Sequence, residues 1–178
     1  MQDEAVLALL TSMDAILEGE FELRKGKWSK LYIELGKALQ FPDISSDFGE
    51  QLSSKYYGKD ATAIVSNSPS GIVLGQEIAK QLEIKHIYIE KDEKENPILK
   101  RGFELNSDDS VIIVDDVVST GNSIKEMQSF LKKKNVEVKG ICCVIDRAEK
   151  PLKTTPALKS LLALRLPVYA SLAELKKD

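Results

Sequence analysis

The sequence predicts an α/β domain organised around a mainly parallel sheet with helices on its faces. Two observations predict the class. From residue 61 to residue 145, short β-rich runs alternate with amphipathic helical stretches. Strands joined by helices pair in parallel through right-handed crossovers. Within that region Val111 to Val114 is apolar throughout, as expected of a strand covered on both faces. A third observation places a site on this frame. The apolar run ends in two carboxylates and a small-residue turn that opens a helix, at the strand end where open α/β sheets bind ligands.

Taken in order, residues 3–18 carry Val6, Leu9, Leu10, Met13, Ile16 and Leu17 at helical spacing, closed by Gly19. Phe21–Leu23 and Leu31–Leu35 alternate like short strands about a polar turn, Arg24–Ser29, and Pro42–Tyr57 predicts a second helix stopped by Gly58. The alternating core follows: strand Ala61–Val65, helix Ile72–Leu82, strands Ile84–Ile89 and Val111–Val114, helix Ile124–Lys134, strand Val136–Ile145. Lys91–Asn96 is highly charged and has no apolar anchor, so it reads as a mobile loop flanked by a short hairpin, Pro97–Leu105. Pro167–Ala170 reads as a short strand, and Ser171 with Glu174 three residues on marks the start of a last helix.

Composition narrows the chemistry. The 178 residues, 43% of them hydrophobic, suit one domain over 1–178 that buries a core without disulfides or structural metal. A net charge of −3 argues against a nucleic-acid or anionic-membrane partner, which needs a basic face. The only cysteines, Cys142 and Cys143, are adjacent on a strand, so they point to opposite faces and read as packing residues. A single histidine, His86, excludes a His-based triad and nearly excludes a Cys/His zinc site, and reads as structural. The longest apolar run, Ala5–Leu10, is far too short to span a membrane, and Met-Gln-Asp-Glu is no basic leader. A cytoplasmic location is expected.

The segment Val111–Ser123 carries the chemistry. Backbone N–H groups at the start of a helix after Ser119, Thr120, Gly121, Asn122 and Ser123 can cradle a phosphate, with Gly121 allowing close approach and the hydroxyls adding donors. Asp115 and Asp116 just upstream suit two neighbouring hydroxyls, such as a ribose diol, or a hydrated metal ion. The glycine spacing matches neither a Walker A loop nor a dinucleotide fingerprint.

This segment resembles the phosphoribosyl diphosphate (PRPP) motif of type I phosphoribosyltransferases. The resemblance implies that fold, a five-stranded, mainly parallel sheet flanked by helices with a small hood from about 20–36 and 165–178. It implies that Asp115 and Asp116 hold the ribose hydroxyls while Ser119–Ser123 hold the 5-phosphate. Gly19-Glu-Phe-Glu-Leu-Arg-Lys-Gly-Lys-Trp-Ser-Lys-Leu-Tyr is similar to the N-terminal pattern of orotate phosphoribosyltransferases, Val144-Ile145-Asp146-Arg147 to their "V-D-R" strand end, Ile89–Lys94 with Leu99-Lys100-Arg101-Gly102-Phe103 to their catalytic loop and hairpin, and Leu166–Tyr169 to their C-terminal strand. The resemblance covers roughly residues 3–175. It implies that Arg147 grips the orotate carboxylate, that Lys91 or Lys94 meets the diphosphate, that Lys25 and Lys27 help line the base site, and that Mg2+ arrives on PRPP without direct side-chain ligation. It also implies a homodimer with the loop acting in trans. Read from the residues alone, Arg147 equally fits a surface pair with Glu149, the lysines a solvated charge run, and Trp28 either a base-stacking or a half-buried hairpin residue.

The chain departs from the family pattern at Ser66-Asn67-Ser68-Pro69-Ser70-Gly71, where "G-P-x-x-G-G" normally binds diphosphate. Gly71 is kept, Ser70 restricts φ, and Pro69 removes a donor. Ser68 and Gly71 remain candidate diphosphate contacts. Glu90 stands where many members carry Arg, and Glu20 where they carry His. Three readings follow: an orotate phosphoribosyltransferase, a PRPP- or nucleotide-binding paralogue without turnover, or a phosphoribosyltransferase for another base.

Overall fold

The computed structural model describes residues 2–23 and 26–177, so Lys25 lies outside the described residues. In chain order, α1 (Gln2–Ser12), β1 (Ile16–Leu23) and β2 (Lys27–Ile33) lead into α2 (Gly36–Leu39) and α3 (Pro42–Ser53). Then come β3 (Ala63–Ser66), α4 (Pro69–Leu82), β4 (Lys85–Tyr88) and the short pair β5 (Glu90–Lys91) and β6 (Pro97–Ile98). The chain ends with β7 (Ser110–Val118), α5 (Asn122–Lys133), β8 (Glu137–Asp146), β9 (Leu158–Ala163) and α6 (Leu172–Leu175).

Five strands pair in the order β4-β3-β7-β8-β9, every neighbour parallel. Alternate side chains build two cores. Ile112 and Val114 meet Leu10 of α1, Phe48 and Leu52 of α3, and Leu74 and Ile78 of α4. Val111 and Ile113 meet Ile124, Met127 and Leu131 of α5. Cys142 and Cys143 divide the same way, and burial pushes the Cys142 thiol up to about 12, which suits packing rather than nucleophilic chemistry. The strand order reverses between β3 and β7. The loops that follow these two strands enter α4 and α5 on opposite sheet faces, which opens a crevice at the switch point.

Four expectations are corrected. Helix α1 stops at Ser12, because Asp14 turns left-handed at φ 52° and Ala15 N–H donates to Leu10 O (2.9 Å). Ile16 and Leu17 begin β1 instead, and Ile16 reaches the same core from a strand. The strands of the first ribbon are longer than expected, and β2 starts at Lys27 inside the expected turn. The fifth strand of the sheet, to which the sequence assigned no residues, is β9, and the expected short strand Pro167–Ala170 does not form as one. Lys159 and the adjacent Leu161–Leu162 break the alternation in β9, and the edge position tolerates this because Lys159 Nζ lies 4.7 Å from the Tyr56 ring centroid and donates to Lys55 O (2.8 Å). Pro167–Ala170 makes a single bridge in which Tyr169 and Trp28 exchange both backbone hydrogen bonds (2.9 Å each). Finally, the hairpin is not Pro97–Leu105. Glu90 pairs with Ile98 and Lys91 with Pro97. The turn between them is closed by the Asp92 carboxylate, which accepts from the Lys94 and Asn96 backbone N–H groups (2.8 Å each).

At the C-terminus Ser171 Oγ accepts from Glu174 N–H (3.2 Å), the expected cap of α6.

Candidate active site

The apolar run of β7 carries the chain into Asp115, which is 4% exposed, and half-buried Asp116. Three groups fix the pair. Ser123 Oγ, in the first turn of α5, donates to Asp115 Oδ2 (2.7 Å), and Asp116 N–H donates to Asp115 Oδ1 (3.0 Å). Ser68 Oγ lies 3.2 Å from both Asp115 Oδ1 and Asp116 Oδ1 while accepting from Gly71 N–H (3.0 Å). A hydroxyl has one proton, so Ser68 divides it between two carboxylates. Burial raises the Asp115 carboxyl to about 6; the Ser123 hydrogen bond opposes the rise and the Asp116 charge adds to it. Among the described residues neither carboxylate meets a cation. The pair therefore has free acceptor capacity for hydroxyls or for water on a hard cation.

Ser119 and Thr120 are exposed in the turn after β7, Asn122 is exposed at the start of α5, and Gly121 is buried as the residue before the helix at φ 71°. A Cβ at Gly121 would sit 3.0 Å from Leu152 Cδ1 in a backbone conformation that L residues rarely adopt. Gly121→Ala is expected to destabilise the fold by about 1–2 kcal/mol, read from thermal melts.

Arg147 follows β8, with its N–H donating to Val118 O (2.9 Å), which ties it to the end of β7. It is 8% exposed, so a surface pair with Glu149 is not its setting. Its Nη2 donates to Ser29 Oγ in β2 (3.3 Å). Among the described residues it pairs with no carboxylate, and burial lowers its pKa. A buried guanidinium without an acid is a waiting anion site.

Direct hydrogen bonds bring together Ser68, Gly71, Asp115, Asp116 and Ser123, and backbone pairing brings Arg147 to the same strand ends. Among the described residues Lys27, Lys91 and Lys94 make no ion pair with this cluster. Lys91 Nζ pairs with Glu95 (3.4 Å) and with Glu126 of α5 (3.5 Å). Lys94 is exposed in the hairpin turn, and Lys27 is exposed at the start of β2. Glu90 is engaged by Arg101 Nε (2.8 Å). Lys91 faces a cavity of about 480 Å³ shared with Asn67, Pro69, Tyr88, Arg101 and Met127, which neither Asp115, Asp116 nor Arg147 lines. Trp28 is half-buried beside Tyr169. His86 accepts or donates against Ser66 Oγ (2.8 Å) and is lowered to about 4 by burial, a structural role.

Sequence reasoning missed Ser29 as the partner of Arg147, and it missed Arg165. The latter holds the Asp146 carboxylate through Nη2 (2.7 Å). No local sequence signal pointed to either residue, since Ser29 and Arg165 lie far from Arg147 along the chain.

The chain matches the phosphoribosyl transferase domain family over residues 34–162. It is 30% identical over 169 residues to the orotate phosphoribosyltransferase of Caldanaerobacter subterraneus, covering 95% of this chain and 88% of that one. It is 31% identical over 170 residues to that of Chlorobaculum parvum, covering 96% and 88%. Among solved structures, orotate phosphoribosyltransferase from Aeropyrum pernix shares the fold at TM-score 0.73 and 20% identity, over 97% of each chain. Adenine phosphoribosyltransferase from Thermoanaerobacter pseudethanolicus shares it at 0.69 and 16% identity, over 89% of this chain and 99% of that one. Among the described residues no helix is long and apolar enough to cross a membrane. With this fold, and with an acidic pair and a small-residue turn at its switch point, the chain belongs to the orotate phosphoribosyltransferase family of phosphoribosyltransferase enzymes.

Proposed function

We propose that the protein transfers the 5-phosphoribosyl group of PRPP to orotate, giving orotidine 5-monophosphate and diphosphate. The observation that carries the choice of base is Arg147, a buried cation with no counter-ion among the described residues, beside the acidic pair's strand end. Orotate brings a carboxylate that a planar guanidinium can grip through two bonds; uracil and adenine bring none.

In this reading Asp115 and Asp116 accept the ribose hydroxyls, and the Ser119–Ser123 turn holds the 5-phosphate. The base nitrogen forms its bond to the anomeric carbon as the carbon–oxygen bond to diphosphate breaks on the opposite face. The electron pair leaves with diphosphate, and the base gives up its N–H proton. Positive charge spreads over the sugar ring in the transition state, and the ionised acidic pair favours it. Asp115 and Asp116, which have acceptor capacity and meet no cation among the described residues, would hold Mg2+ through water, and the ion would supply charge neutralisation for the leaving diphosphate.

Lys91 and Lys94 are the groups proposed to meet the diphosphate. Lys91 shares a cavity with Asn67 and Pro69, which flank Ser68, and it lies on the hairpin that the family resemblance assigns to the partner's site in a homodimer. Ser68 is expected to help order PRPP. Ser68→Ala is predicted to cost about 1 kcal/mol through the lost cap on α4 and to raise the KM for PRPP severalfold, checked by melts and steady-state kinetics. A cytoplasmic, one-domain enzyme, with β1–β2 and the C-terminal segment as a hood over the base, completes the reading.

A second reading has an observation of its own. The Gly71 N–H, one of the donors a diphosphate would use, is already occupied by Ser68 Oγ, and Pro69 supplies none. That favours a PRPP-binding protein with little turnover. Diphosphate release from PRPP and Mg2+ should be measured with orotate, uracil and adenine in turn, alongside calorimetric titration of PRPP. Release with orotate alone supports the transferase proposed here. Release with uracil or adenine reassigns the base, and heat of PRPP binding without release from any base supports the binding protein.

A further inference from the structure

Arg147 is flanked by a second arginine with a different task. Arg165, two residues beyond the end of β9, sends Nη1 to the carbonyl oxygens of Asp146 (3.2 Å) and Ala148 (3.0 Å), the residues on either side of Arg147. Its Nη2 grips Asp146 Oδ2 at 2.7 Å, and Asp146 Oδ1 accepts from Ala148 N–H (3.1 Å). The Asp146 carboxylate is buried, and each of its oxygens accepts one of these bonds. It is also the acid next in sequence to Arg147. Ser29, the other contact of Arg147, is neutral; its Oγ donates to Leu31 O (2.8 Å).

We infer that Arg165 is a positioning residue for Arg147: it holds the backbone on both sides of Arg147 and sequesters the Asp146 carboxylate, so that the Arg147 guanidinium stays available to the carboxylate of the base. This rests on the reading of Arg147 as the orotate contact. Loss of the Arg165 fork frees a buried carboxylate, which then competes with orotate for the same cation. Removing the charge of that carboxylate as well ends the competition. A merely structural clamp would behave differently, because loosening the strand end would weaken every ligand and a second substitution nearby would not repair it.

The test is steady-state kinetics with orotate and PRPP, with calorimetric titration of orotidine 5-monophosphate, on wild type, Arg165→Ala, Arg165→Lys and the double variant Arg165→Ala/Asp146→Asn. Arg165→Ala should raise the KM for orotate and the Kd for the nucleotide about tenfold, with the KM for PRPP changed less than about threefold. The double variant should recover most of that loss. Arg165→Lys keeps a charge on Asp146 without the fork and should fall between; it serves if Arg165→Ala does not fold. Equal losses for both substrates, no loss for orotate, or a double variant no better than the single one overturns the inference. Wild type that binds neither orotate nor its nucleotide overturns the base assignment instead, and the inference with it.

Discussion

Asp115→Asn is expected to lower phosphoribosyl transfer roughly 10²-fold and, at the same time, to make the unliganded protein more stable at pH 8. The activity loss follows from the role proposed for the acidic pair. An amide can accept from a ribose hydroxyl, but it brings no charge to an electron-poor sugar. The stability gain follows from burial. Asp115 is 4% exposed, and its folded-state carboxyl is raised to about 6 from a usual value near 3.8. Below the lower value both folded and unfolded chains hold the proton, and the neutral form costs nothing extra. As pH rises through about 6 the folded protein has to ionise a desolvated group, and that share of its stability is lost. The asparagine avoids the cost, so its advantage should grow to about 1–3 kcal/mol above pH 7 and fade below pH 4. Urea or thermal unfolding of both proteins at pH 4 and pH 8, without PRPP or Mg2+, checks it. An equal stability difference at both pH values would show that Asp115 is not held against its charge.

Arg147→Met should raise the KM for orotate about 10- to 100-fold, since a charge-assisted hydrogen bond to a carboxylate contributes about 1.5–3 kcal/mol. The KM for PRPP should move little, because the phosphate turn and acidic pair are left intact. Stability should hold or rise. Methionine keeps most of the stem that packs between β2 and the end of β8, and it removes a buried cation that has no acidic partner among the described residues. Parallel orotate and PRPP saturation curves, with a melt of each protein, check all three parts. Equal losses for the two substrates would place Arg147 outside the base site.

These two residues also mark how far the sequence could be read. Asp115 to Ser123 is a local device, with strand, acids, turn and helix following one another within a few residues, so its elements follow from spacing, while the Ser123–Asp115 hydrogen bond came only with the structure. The parallel frame was legible for the same reason, since buried strands and amphipathic helices carry their own periodicity. The setting of Arg147 was not. Ser29, Asp146 and Arg165 converge only because β2 reaches the C-terminal segment at Trp28–Tyr169 and β8 pairs with β9, and no local pattern announces those long-range contacts. β9 itself was hidden by Lys159, whose stem packs while its ammonium meets the Tyr56 ring. The role of Ser68 was half visible. It stood out as a candidate diphosphate contact, but its cap on α4 depends on a helix that starts at Pro69 rather than Ile72, and its reach to both carboxylates depends on β3 and β7 lying side by side.

The central claim is that this site couples PRPP to a carboxylate-bearing pyrimidine. Its most direct measurement follows orotate absorbance in a mixture of purified protein, PRPP, Mg2+ and orotate, with diphosphate quantified in the same sample. The account predicts a fall in orotate absorbance that depends on PRPP and Mg2+, matched one-to-one by diphosphate. Unchanged absorbance in a protein that still binds PRPP would contradict it.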